Sequence, residues 1–148
     1  MSTYTQIIYH IIFGTKYHQQ VLHKANRQKL FQYITGILQN KNCHLYQING
    51  IENHIHILFH LHPTIALSDI VKDIKLASSR FIKDNNLFPD FIGWQNGYGA
   101  FTYSISAKQT LIAYIQNQEE HHKVKNFREE FIQFLKDNGI DFDEKYLL

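Results

Sequence analysis

Residues 5–13 are rich in β-branched and aromatic side chains and run into Gly14, a pattern that predicts a strand. Between 26 and 40 the apolar positions Leu30, Phe31, Ile34, Ile37 and Leu38 recur at helical spacing, so an amphipathic helix follows. Two more strands are predicted over 43–51 and 53–61, joined tightly around Gly50 as an antiparallel hairpin and closed by Pro63. Leu67, Ile70, Val71, Ile74, Ala77 and Phe81 mark the apolar side of a helix over about 68–84. Pro89, Gly93, Gly97 and Gly99 make 89–99 a loop, after which 100–105 reads as a strand. Ser106 and Gln109 have the spacing of a capping box and start a helix that carries Tyr114. A last helix, over 126–138, uses Phe127, Phe131, Phe134 and Leu135 and stops at Gly139.

That order, βαββαβα plus a terminal helix, favours an α+β fold. The specific expectation is a ferredoxin-like two-layer sandwich, an antiparallel sheet with helices on one face and extra C-terminal helices. No linker or repeat divides the 148 residues, so 1–148 reads as one domain with 124–148 as a C-terminal helical extension. A hydrophobic content of 44% with 14% aromatics is that of a globular chain rather than a disordered one. The apolar runs are too short to cross a bilayer, and the polar start Ser2-Thr3-Tyr4-Thr5-Gln6 lacks a signal-peptide layout. A cytoplasmic location without membrane association is therefore expected. The lone Cys43 excludes an internal disulfide and a cysteine-based zinc cluster. A net charge of +2 points only weakly to an anionic partner.

Chemistry enters with the histidines, of which there are ten. In His54-Ile55-His56 the two imidazoles leave one face of a strand, while Ile55, Ile57 and Phe59 leave the other and can enter a core. This is half of a metal site, or else a pair of partly exposed strand histidines; His60 continues the same face. Some sixty residues on, Tyr114 and Gln118 stand one helical turn apart, so a phenol and an amide oxygen share a side. Tyr114 also borders the apolar stripe Ala107, Leu111 and Ile115, where a core-edge aromatic is an ordinary outcome. His121 and His122 read as solvent-facing charges near a helix C-terminus.

Three motifs in order carry a family resemblance. They are His54-Ile55-His56, the run Trp94-Gln95-Asn96-Gly97-Tyr98-Gly99-Ala100-Phe101, and Tyr114 through Asn117-Gln118 to His121-His122. Together they resemble the single-tyrosine HUH transposases of small bacterial insertion sequences, and the related REP-associated tyrosine transposases. The likeness spans nearly the whole chain. Many members have Asp before the first histidine, where this chain has Asn53.

The resemblance implies that Tyr114 attacks a phosphodiester of single-stranded DNA, forming a 5′-phosphotyrosine and freeing a 3′-hydroxyl. It implies a divalent metal, magnesium or manganese, held by His54, His56 and Gln118. Two imidazoles by themselves suit zinc, copper or iron better than magnesium, and manganese satisfies both arguments. Implied partners are hairpin-bearing single-stranded DNA at element ends and a second copy of the chain in a homodimer. A free tyrosine has a pKa of about 10, and the sequence names no base to accept its proton.

For DNA contact, Lys72, Lys75, Arg80 and Lys83 fall in one sector of the 68–84 helix, opposite its apolar side. Asp69 and Asp73 share that sector, so an ordinary solvated face fits as well. Trp94 and Tyr98 can stack on unpaired bases, or Trp94 can anchor its loop to the core. The alternatives to a transposase are a domesticated REP-associated nuclease, a non-catalytic single-stranded nucleic-acid-binding module and, last, a metal hydrolase, for which no aspartate partner is evident.

Overall fold

The computed structural model describes residues 2–147. Four antiparallel strands, β1 (Ile8–Gly14), β2 (His44–Ile51), β3 (His54–His60) and β4 (Gly99–Tyr103), form one sheet in the order β2-β3-β1-β4. Helix α1 (Lys24–Asn40) follows β1 and α2 (Leu67–Asp84) follows β3. After β4 come α3 (Lys108–Gln116), the short α4 (Gln118–His121) and α5 (Phe127–Asp137).

Strand alternation sorts the side chains into two cores. Ile11, Phe13, Ile55, Ile57 and Phe59 pack with Leu30, Ile34 and Leu38 of α1 and Ile70 and Ile74 of α2. The opposite face carries Ile8 and Leu58 against Leu111 and Ile115 of α3, and Ile12 and Phe101 against Phe127 and Leu135 of α5. The sheet with α1 and α2 is the expected sandwich. The C-terminal helices add a further layer over the other face, which is why β1 and β3 are buried on both sides.

Several local expectations are corrected. Gly50 lies inside β2, paired with Ile55, and the hairpin turns at Glu52-Asn53. Glycine is needed there because a Cβ would collide with the backbone of His54 and Ile55. The Ser106–Gln109 capping box does not form. A 3-10 turn at Ile105–Ala107 leads into α3, and the Ser106 hydroxyl pairs with that of Ser104 at 2.7 Å. The helix bearing Tyr114 stops at Gln116, and Gln118 opens the separate α4. Asn126 caps α5 by accepting from the Glu129 amide at 2.9 Å.

Candidate metal and tyrosine site

In β3, His54 pairs with Gly14 and Ile51, and His56 with Ile12 and Asn49, so both imidazoles rise toward the C-terminal helices. The bare Gly14 leaves room for this layer, since a Cβ there would lie 2.7 Å from the Phe127 ring and from Gln95 Oε1. Phe127, at the start of α5, stacks flat on His54 with ring centroids 4.0 Å apart. His54, His56 and Gln118 are 0% exposed and Glu130 of α5 is 2% exposed.

Buried polar atoms must find partners, and here they find one another. Glu130 Oε1 lies 3.1 Å from His54 Nε2, 3.0 Å from His56 Nε2 and 3.1 Å from His122 Nε2. Gln118 Oε1 lies 3.1 Å from both His54 Nε2 and His122 Nε2. His54, Gln118, His122 and Glu130 therefore close a four-atom loop whose sides are each 3.1 Å. The His54, His56, His122 and Glu130 ligand atoms all lie within 4.8 Å of one another.

The surrounding contacts set the tautomers. Asn53 Oδ1 accepts from His54 Nδ1 at 2.8 Å, so the amide orients the ring. His54 Nε2 faces two oxygens, Gln118 Oε1 and Glu130 Oε1, each at 3.1 Å. Burial holds the His54 pKa down to about 4, in favour of the neutral form. His56 is backed in the same way by His10, whose Nε2 lies 2.8 Å from His56 Nδ1. Burial, with His56 adding to it, holds the His10 pKa well below its ordinary value.

Tyr114 reaches this centre from the last turn of α3, and its hydroxyl donates to Glu130 Oε2. Gln118 Nε2 donates to the same oxygen at 3.2 Å. Burial raises the Tyr114 pKa, and the Glu130 charge raises it further. Burial alone would raise the Glu130 pKa, but the facing His56, His122 and His54 outweigh it and keep the carboxylate ionised. A phenol, a carboxylate, three imidazoles and an amide thus meet within one chain.

Comparison with known proteins places this arrangement. The sequence profile described as "Transposase IS200 like" matches residues 3–118. The chain belongs to the IS200-like transposase family. A relative, the ISDra2 transposase TnpA of Deinococcus radiodurans, is 28% identical over 120 residues, covering 78% of this chain and 86% of that protein. A crystal structure of a Deinococcus radiodurans R1 protein described as a transposase superposes with a TM-score of 0.63 at 26% identity, covering 80% of this chain and 95% of that one. A REP-associated tyrosine transposase bound to a REP hairpin shares the fold at 15% identity, with a TM-score of 0.58 over 82% of this chain and 74% of that one. The protein is thus a DNA-processing enzyme of the transposase class, and the alternatives of a domesticated REP-associated nuclease and of a non-catalytic binding module are not favoured.

The transposase has a set of clamps around its centre. Arg27 of α1, 4% exposed, donates to Leu22 O at 2.8 Å and to Glu119 Oε1 at 3.1 Å, and lies 3.4 Å from Glu52 Oε1. It ties the neighbour of Gln118 to the turn preceding His54. Asn49 of β2 donates to the terminal carbonyls of Ile115 at 2.9 Å and Gln116 at 3.1 Å, satisfying the end of α3 just beyond Tyr114.

The expected DNA-contact residues divide. Lys72, Arg80 and Lys83 are exposed on α2. Lys75 is turned inward, donating to Gln95 O at 2.9 Å and to Gly97 O, and burial lowers its pKa to about 8. Trp94 is only 8% exposed, wedged against Phe13 and Phe91, and donates to Ser78 Oγ at 3.0 Å. It anchors the loop and presents no face for stacking, whereas Tyr98 is 36% exposed. Tyr98, Lys72 and Leu76 border a cleft of about 410 Å³ between α2 and the loop.

Sequence reasoning missed Glu130, His122 and His10. His122 is partly buried in the site rather than facing solvent. Glu130 carried a signal, because it lies one turn before Phe134 on the apolar side of α5, where a carboxylate needs a reason.

Among the described residues no helix is long and apolar enough to cross a membrane.

Proposed function

We propose that this transposase cleaves and rejoins single-stranded DNA at the ends of a small insertion sequence, with Tyr114 as nucleophile and a divalent metal, manganese or magnesium, held by His54, His56 and Gln118. The observation that carries the reading is the meeting of Tyr114 with both β3 histidines and Gln118 through the single carboxylate of Glu130.

In the reaction the Tyr114 oxygen bonds to phosphorus while the bond from phosphorus to the 3′-oxygen breaks. The phenol loses its proton and the departing 3′-oxygen gains one. Glu130 Oε2 accepts the hydrogen bond of the phenol, which aims the oxygen and places the carboxylate to receive its proton. Because burial raises the Tyr114 pKa, the phenol stays protonated until attack, which keeps the nucleophile silent without substrate. The metal, when bound, supplies positive charge beside the nonbridging phosphate oxygens. The phosphotyrosine conserves the energy of the broken bond, so a second 3′-hydroxyl can displace Tyr114 and rejoin strands.

Exposed Lys72, Arg80 and Lys83 offer charge to a DNA backbone, and Tyr98 offers a ring to an unpaired base. Hairpin-bearing ends are the proposed target, in keeping with the REP hairpin bound by the structural relative. A homodimer is proposed as the working form, acting in the cytoplasm.

The test is to mix the protein with labelled single-stranded DNA from the flanks of its own gene and manganese. A denaturation-resistant adduct mapping to Tyr114, absent with EDTA and in Tyr114→Phe, is expected. Tight binding of true element ends without an adduct would overturn the reading.

A further inference from the structure

The sequence profile of the family ends at residue 118, yet two of the groups that face the centre of the site lie beyond it, His122 and Glu130. We infer that the C-terminal segment is part of the metal centre, with His122 and Glu130 as ligands beside His54, His56 and Gln118, and that this donor set selects manganese over magnesium. The inference rests on the metal reading proposed above and specifies its ligands.

Three observations carry it. His122 Nε2 and Glu130 Oε1 complete the loop of 3.1 Å sides with His54 and Gln118, and His56 Nε2 stands 3.0 Å from the same carboxylate oxygen. Removing the two C-terminal donors would leave no loop, only His54 between Gln118 and its strand neighbour. Second, the placement costs the fold a buried charge, since Glu130 sits on the face of α5 otherwise lined by Phe127, Phe134 and Leu135. A carboxylate in such a layer is destabilising unless paired or metal-bound. Third, α5 is held in register over the site from both ends, by Phe127 stacked on His54 and by Phe134 packed edge-on against His10 at 5.1 Å. The helix therefore delivers Glu130 as rigidly as β3 delivers its histidines.

The donor chemistry gives the selectivity. Magnesium prefers oxygen ligands and retains its waters, so three imidazole nitrogens in one dry cavity suit it poorly. Imidazole with carboxylate and amide oxygen suits a borderline ion, and manganese accepts both nitrogen and oxygen ligands.

The test titrates manganese into the metal-free full-length chain and follows free Mn(II) by electron paramagnetic resonance. The wild type, Glu130→Gln and His122→Ala are compared, with circular dichroism as a check of folding. Each substitution is expected to weaken manganese at least about ten-fold. Magnesium in about thousand-fold excess is expected not to displace manganese from the wild type. Pulsed measurements on the wild type, which need no variant, are expected to show three coupled imidazole nitrogens, and two in His122→Ala. Manganese affinity that is unchanged or stronger in Glu130→Gln, or two nitrogens in the wild type, would overturn this inference while leaving the metal reading intact. No manganese uptake by the wild type at millimolar metal would overturn both.

Discussion

The Tyr114 hydroxyl donates to Glu130 Oε2, and the other oxygen of that carboxylate stands 3.0 Å from His56 Nε2. One side chain from α5 thereby links Tyr114 of α3 to the histidine pair of β3. Any shift of α5 moves both relationships together.

Tyr114→Phe is expected to abolish the covalent DNA adduct while leaving DNA affinity within about two-fold. The change removes one hydrogen bond to Glu130, whose oxygens keep Gln118 and three imidazoles as neighbours. Its stability cost should therefore be about 1–2 kcal/mol. Denaturing gels and urea melts of the same preparation check both statements. A residual adduct of wild-type yield would mean that another of the nine tyrosines is the nucleophile.

Trp94 and Tyr98 are neighbours in the loop with opposite expected phenotypes. Trp94→Ala empties a buried slot between Phe13 and Phe91 and removes the indole hydrogen bond to Ser78, so a loss of about 3–5 kcal/mol is expected in chemical denaturation. Tyr98→Ala touches the core little and should change stability by less than about 1 kcal/mol. It should instead weaken single-stranded DNA binding by about ten-fold, the loss of one stacked base, as read by fluorescence anisotropy. A Tyr98 variant that binds normally would remove the loop from the DNA path.

The elements were legible in the sequence because each has a clean period: alternation in β3, a 3.6-residue repeat in α2. The histidine pair followed from alternation alone. What the sequence hid were features that depend on tertiary contact. Gly50 looks like a turn residue, but it is glycine because β3 passes too close for a Cβ. Asn117 falls inside a helical pattern, yet Asn49 reaching across to the carbonyls of Ile115 and Gln116 ends the helix there. Trp94 sits among glycines and so looks like a loop aromatic, while its indole is buried. Glu130 stands out locally as a carboxylate on the apolar side of α5, but nothing local connects 130 with 54, 56 and 114. Only the packing of α5 over the sheet brings them together.

Acid should destabilise the metal-free protein before its carboxylates titrate generally. His54 is held neutral in the fold with its pKa lowered by burial from 6.5 to about 4. A histidine whose folded pKa is depressed contributes stability that is fully present above about pH 6.5 and is lost as pH falls toward 4, because the unfolded chain takes up the proton first. Loss of about 3 kcal/mol is the upper bound for this one group across that window. The depressed Glu130 pKa acts in the same direction at lower pH, where the unfolded carboxylate protonates before the folded one. Urea midpoints at pH 7.5 and 5 test this, with a lower midpoint at pH 5 expected. A midpoint that rises on acidification would show that the imidazoles are charged in the fold.

Arg27 ties α1 to α4 outside the histidine cluster. Its guanidinium is almost fully buried, while its partners Glu52 and Glu119 keep 45% and 47% of their side-chain surface exposed. Solvent screens the two ion pairs, so their charge alone is worth little. The bond to Leu22 O and the buried position matter more, and Arg27→Ala is expected to cost about 2 kcal/mol. Arg27→Lys keeps the charge but cannot fork between Glu119 and the Glu52 turn. That variant should therefore recover part of the stability without restoring metal affinity, because Glu119, beside Gln118, is no longer tied to the Glu52 turn that precedes His54. Melting curves and manganese titration of both variants separate the two effects. Full recovery of metal affinity in Arg27→Lys would show that charge, and not the forked geometry, sets the position of α4.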